Sequence, residues 1–338
     1  MRPVLVSVAV AATTIVVVAT AGPAPAAPTS RPRQDAASAH VLPGTSCPVF
    51  PVDNFWHARV DRLPVHPMSA QWLSTMHAST TRLHPDFGPS FGAQAVPYGI
   101  PITVVDDAPK VAVTFDYADE SDRVRYPLGA QTQIEGGADA DGDRHAIVVD
   151  SATCTLYETW NTRQTADGWT AGSGATWSLR SNTLRPRGWT SSDAAGLPIL
   201  PGLLRWDEVR AGHVDHAIRF TTDVTRRAFV WPARHQAGST NDPSAPPMGA
   251  RFRLRADFPT TGYSPRARVV LRAMQQYGLV LADNGSAWYF QGAADDAWPV
   301  RLIDELKRVP AAAFEAVDTE RLRVRPGSAK ASVTGTGR

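Results

Sequence analysis

Twenty-eight prolines are spread along the 338 residues, and few stretches are long enough to wind an uninterrupted helix. Proline lacks the backbone donor that a helix interior needs, and its ring clashes with the carbonyl one turn back. What remains between the prolines are short apolar runs, rich in β-branched and aromatic residues and bounded by Gly, Asn and Asp. Residues 102–105, 111–117, 145–150, 154–160, 216–221 and 226–231 therefore predict strands. The runs at 279–282 and 287–290 flank Asp283-Asn284-Gly285-Ser286, where Asn-Gly is the turn that antiparallel hairpins favour. The prediction is a mainly β chain, an antiparallel β-sandwich or jelly-roll-like single domain with two or three short helices; an irregular α+β domain is the alternative.

The best helix opens at Ser264, which can cap, followed by Pro265 at the first helical position. It carries Val269, Val270, Ala273, Met274 and Tyr277 on one face and stops at Gly278. Shorter helices are predicted over residues 299–308 and 69–76.

The ends of the chain differ from its middle. Arg2, an apolar run over residues 4–20 and Ala24-Pro25-Ala26 read as a signal peptide over residues 1–26, cut after Ala26. Residues 27–45 are a Pro/Ala/Ser linker, 46–323 the globular domain and 324–338 a flexible tail. Cys47 and Cys154 are the only cysteines, and an even pair in an exported chain predicts one disulfide. The expected location is extracellular, as a monomer with no membrane anchor after cleavage. With 34 basic against 32 acidic side chains and no long run of either sign, no nucleic-acid footprint is present.

Chemistry is concentrated between Asp139 and Trp160. On the strand ending at Trp160, residues two apart share a face, which groups Glu158 with Trp160. A carboxyl group beside an indole suits a sugar, since the ring stacks on a pyranose while the acid works on the glycosidic bond. His145 and His216 each open a His-Ala-Ile strand, and His235 follows Trp231-Pro232-Ala233-Arg234. If these three imidazoles meet, they can orient a substrate, move protons or hold zinc. Asp139, Asp141 and Asp143 alternate as calcium ligands do, although Arg144 stands where an EF-hand loop needs glycine, so Ca2+ is the one cofactor with any local motif behind it. Gly88-Pro89-Ser90-Phe91-Gly92 has the spelling of a nucleophile elbow, without a strand before it or a helix after it.

Several motifs resemble a family of secreted, mainly actinobacterial β-rich proteins with no assigned activity. They include Asp53-Asn54-Phe55-Trp56, His216-Ala217-Ile218-Arg219-Phe220, Trp231-Pro232-Ala233-Arg234-His235 and Ala282-Asp283-Asn284-Gly285-Ser286. The resemblance implies export and a single domain, and transfers no catalytic residue.

Export, β-rich folding, ten tryptophans and near-neutral charge together predict a secreted carbohydrate-active enzyme, a glycoside hydrolase on an extracellular polysaccharide. Glu158 is then the general acid, and Asp143 or Asp150 the base or nucleophile. Trp160, Trp231 and Arg234 bind the glycan, and His145, His216 and His235 orient it. A non-catalytic glycan-binding or cell-envelope protein and a polysaccharide lyase are the alternatives.

Overall fold

The computed structural model describes residues 41–90, 96–137 and 139–332; the predicted signal peptide and most of the linker lie outside them. The described residues are mainly β, with four helices. In chain order the strands begin with β1 (His84–Asp86), β2 (Ile102–Val105), β3 (Val113–Phe115), β4 (Ala146–Asp150) and β5 (Thr155–Trp160). There follow β6 (Arg163–Thr165), β7 (Gly168–Ala171), β8 (Ser173–Ser178), β9 (Ile218–Thr222) and β10 (Arg226–Phe229). The last five are β11 (Pro247–Met248), β12 (Arg251–Leu254), β13 (Leu279–Asn284), β14 (Tyr289–Gln291) and β15 (Phe314–Val317). The helices are α1 (Ser69–Thr75), α2 (Trp206–Ala211), α3 (Pro265–Gln276) and α4 (Val300–Leu306).

The largest sheet has six strands in the order β1-β14-β9-β13-β12-β15. A four-stranded sheet runs β2-β4-β5-β8, and a three-stranded one runs β3-β7-β6. Each of the three mixes parallel and antiparallel pairs. The purely antiparallel sandwich is thus replaced by the mixed, helix-bearing arrangement. The cause is the connections: chain segments carrying helices or long loops separate strands that then pair in parallel.

The four-stranded sheet is buried on both faces. Ile147, Val149 and Leu156 pack on one side with Leu42, Leu179 and the disulfide between Cys47 and Cys154. Val148 and Tyr157 pack on the other with Tyr126, Trp169 and Phe115 of the three-stranded sheet. The six-stranded sheet and the helices share a separate, aromatic core around Phe220, Phe252, Trp288 and Phe314.

Helix α3 forms as its sequence predicts: the Ser264 hydroxyl accepts from Ala267 N–H, Pro265 opens the helix, and Gly278 leaves it at positive φ. The hairpin predicted around Asn284-Gly285 does not form. Strand β9 lies between β13 and β14, parallel to the first and antiparallel to the second. The Asn-Gly loop strides over β9, where Thr221 Oγ1 donates to Ser286 O and Trp288 N–H donates to Thr221 O. The domain also exceeds its predicted limits. Leu42 is core, Asn54 bridges Lys330, and Ala329 and Ala331 are buried, so the start and the tail close against each other.

Candidate functional site

The four-stranded and six-stranded sheets are joined through His145, just before β4, and Arg219 of β9, which bond the neighbouring residues Ser192 and Asp193. The loop over residues 188–198 fills the seam. It is pinned at many points: Ser173 Oγ donates to Ser191 O, Ser191 Oγ to Leu197 O, and Ala195 N–H to Ala282 O. Gly196 turns it at φ 66°, where a Cβ would stand 2.5 Å from Trp189 O.

A cavity of about 310 Å³ opens on this seam. On one wall Trp160 donates its indole N–H to Asp143 Oδ1 at 3.2 Å, and Tyr117 stands beside it with ring centroids 6.4 Å apart. The Trp160 ring lies over Gly172, whose position has no room for a side chain. Asp283, Glu120 and His235 also line the cavity, and His235 Nδ1–H donates to Ala194 O. Glu120 accepts Thr190 N–H at 2.8 Å and lies 3.8 Å from His235 Nε2.

Asp283 reaches this place through a bulge. Leu281 pairs with Phe220, but Asp283 pairs with Thr221, so Ala282 is an inserted residue. Side chains alternate along a strand, and one extra residue moves Asp283 from the core face of Leu281 to the face that Arg219 and Thr221 share. Its carboxylate lies 3.6 Å from Arg219.

Behind the cavity the charges are buried and paired. Arg219 donates to both oxygens of Asp193, at 3.1 and 3.3 Å. His145 places Nδ1 2.6 Å from Glu135 Oε2 and Nε2 3.1 Å from Ser192 O. Both neighbours are acceptors, so both ring nitrogens donate and the ring is an imidazolium. Burial opposes that charge, but the attraction and hydrogen bond of Glu135 outweigh it and push His145 up to about 9.

The two cations, His145 and Arg219, are matched by Glu135 and Asp193. Asp283 is a third carboxyl group on the same network. Burial first, then repulsion from Asp193, pushes it up to about 7 against the pull of Arg219. It keeps 26% of its side chain exposed, at the cavity. The group that holds its proton near neutrality is therefore the one that faces solvent.

Of the residues singled out from sequence, Asp143, Trp160 and His235 line the cavity, and His145 lies immediately behind it. Glu158 does not: it is fully buried and accepts the N–H groups of Ile199 and Leu200, so it braces the loop. Asp150 sits at the far end of β4, paired with Lys110 at 2.9 Å. His216 is bound to Glu208 of α2, remote from His145 and His235 in the contacts it makes. Trp231 is buried edge-on to Phe55 and donates to Ser328 O, and Arg234 donates to the carbonyls of Arg185 and Pro326. Asp139 and Asp141 are exposed and do not join Asp143 at the cavity. Among the described residues no group of three or more His, Cys, Asp or Glu is placed to hold a metal ion, which removes the basis for the calcium and zinc expectations. Of the elbow-like segment, Ser90 is described, and its hydroxyl donates to Asp296.

Tyr117, Glu120, Glu135, Ser192, Asp193, Arg219 and Asp283 were not singled out. Asp283 reads from sequence as a turn residue, and the signal that finds it is the bulge, which only the β9 register shows. No helix of the described residues is long and apolar enough to cross a membrane. No family model matches the chain, and no curated protein or solved structure matches it either.

Proposed function

We propose that this chain is a secreted carbohydrate-active enzyme, a glycoside hydrolase whose reaction takes place in the cavity between the two larger sheets. The observation that carries the reading is Asp283, a carboxyl group held near its proton at neutral pH while facing a cavity walled by an indole, a phenol and a second carboxyl group, Asp143. Glycosidic bonds are cleaved by such a pair. The proton of Asp283 goes to the glycosidic oxygen as its bond to the anomeric carbon breaks. A water oxygen attacks that carbon and gives one of its protons to Asp143, whose carboxyl group also lines the cavity. Trp160 and Tyr117 present ring faces to the sugar. The disulfide fits the oxidising surroundings of an exported protein.

The lining disfavours a uronate lyase, since among the described residues no Lys or Arg lines the cavity to neutralise a sugar carboxylate. A non-catalytic glycan receptor uses the same aromatic wall and needs no protonated acid, so one variant separates the two. Asp283→Asn keeps size and one acceptor but has no acidic proton to give. New reducing ends released from a polysaccharide panel should fall by about 10²–10⁴-fold, with binding of the same glycan retained. Unchanged turnover overturns the assignment of Asp283. Binding by the unaltered chain with no product from any polysaccharide makes it a receptor.

A further inference from the structure

Among the described residues, the ionisable side chains lining the cavity are Glu120, Asp143, Asp283 and His235, with neither Lys nor Arg. The guanidinium groups behind the lining are committed elsewhere: Arg219 is buried against Asp193 and Asp283, and Arg185 pairs with Asp122 and donates to the carbonyls of Glu120 and Thr190. Asp143 Oδ1 takes the Trp160 indole proton, and among the described residues no side-chain cation forms an ion pair with Asp143 and no donor meets its Oδ2. A second observation is independent of the carboxyl groups: Ser192, which lines the cavity and is 4% exposed, has an Oγ with no hydrogen-bond partner. A buried hydroxyl without a partner is costly, and a ligand's polar group at this wall would satisfy it. Tyr117, at 53% exposure, and Trp160 add negative ring faces on the Asp143 side. Aromatic faces beside unpaired carboxylates are the surroundings that select a cation over a neutral group of the same size.

We infer that the sugar bound here carries a free amine, so that the cavity selects an amino sugar in its ammonium form. The inference rests on the carbohydrate reading above and narrows it. The ammonium lies between Asp143 and Glu120, within reach of the ring faces, and the pyranose extends towards Asp283. Acetylation of the amine removes the charge and adds bulk; a sugar carboxylate meets acids of its own sign.

The test uses the full chain and monosaccharides, so that linkage does not enter. Glucosamine, glucose, N-acetylglucosamine, glucuronate and n-butylamine are titrated separately, and the readout is the indole N–H resonance of Trp160, assigned with Trp160→Phe. Glucosamine should bind about tenfold more tightly than glucose in low salt, with the ratio shrinking as salt is raised. Glucuronate should be weakest, and Glu120→Gln, which keeps an acceptor for Thr190 N–H, should narrow the glucosamine-to-glucose ratio. Equal shifts from glucose and glucosamine overturn the amine inference and leave the carbohydrate reading standing. Equal affinity for n-butylamine and glucosamine shows that the sugar ring contributes nothing and overturns the amino-sugar assignment. No response to any sugar overturns the carbohydrate reading itself.

Discussion

Glu158, Asp283 and His145 are among the groups that hold their protons more tightly in the folded chain than when exposed, and each bears on how stability depends on pH. Burial raises Glu158 to about 7, against the pull of the Ile199 and Leu200 N–H groups, and Asp283 is raised to about 7 as well. For a group raised on folding, the stabilisation is complete below its ordinary pKa and is lost as pH rises through the folded value. Glu158 and Asp283 therefore remove stability between about pH 4 and 7, and His145, raised to about 9, continues the loss from about 6.5 upward. Glu135, held low by His145 against its own burial, acts in the other direction, losing its contribution as pH falls below the usual carboxylate range. Glu158→Gln keeps an acceptor for the two N–H groups without an ionisable oxygen. It should raise the urea midpoint at pH 8, by on the order of 2 kcal/mol, and leave it nearly unchanged at pH 4.5. A variant less stable at pH 8 would show that the ionised carboxylate is a net asset there.

At the scale of elements, the cavity depends on a close backbone approach that only a small residue allows. Gly172 lies under Trp160, and a Cβ there would fall 2.2 Å from the indole. Gly172→Ala should turn the ring out of the cavity wall, since the indole edge is partly free and the strand backbone is not. Affinity for a bound glycan should drop about tenfold, with thermal stability falling only slightly; an unchanged affinity would show that the ring face contributes nothing. The local elements were legible in the sequence wherever a rule of the chain itself decides them. Residues 102–105 form β2 as predicted, and α3 begins and ends at its cap, proline and glycine. Pairing was not legible, because it depends on residues distant in sequence: β9 intervenes in the Asn284-Gly285 loop, and β8, an edge strand rich in glycine and small residues, has too little apolar signal to be read alone. The same limit applies to the site. Asp143 and Trp160 share a hairpin and could be found from its alternation, whereas Asp283, Arg219 and Asp193 meet only through the bulge and the loop over residues 188–198.

Across the whole molecule, the disulfide links the beginning of the described chain to the first residues leading into β5, across a sequence separation of 107. Both sulfurs are buried in the core beneath the four-stranded sheet, beside Leu42, Val49 and Leu179. In the folded chain these residues are already held by that packing and by backbone bonds such as Leu179 N–H to Cys154 O. The bond therefore acts chiefly on the unfolded chain, where a closed loop of this length removes conformations worth about 4 to 5 kcal/mol. The double variant Cys47→Ala, Cys154→Ala should lose most of that amount, less a small term for the volume removed at each sulfur, and should keep the native Trp160 signal and its response to ligand. The two effects separate in denaturant. Release of unfolded-state entropy lowers the midpoint and increases the m-value, because the uncrosslinked chain exposes more surface, whereas damage to the folded core lowers the midpoint and disturbs the Trp160 signal before unfolding begins. A midpoint shift corresponding to less than about 1 kcal/mol would mean that the four-stranded sheet and the closure of residues 41–54 against 328–332 hold this end of the molecule without the crosslink.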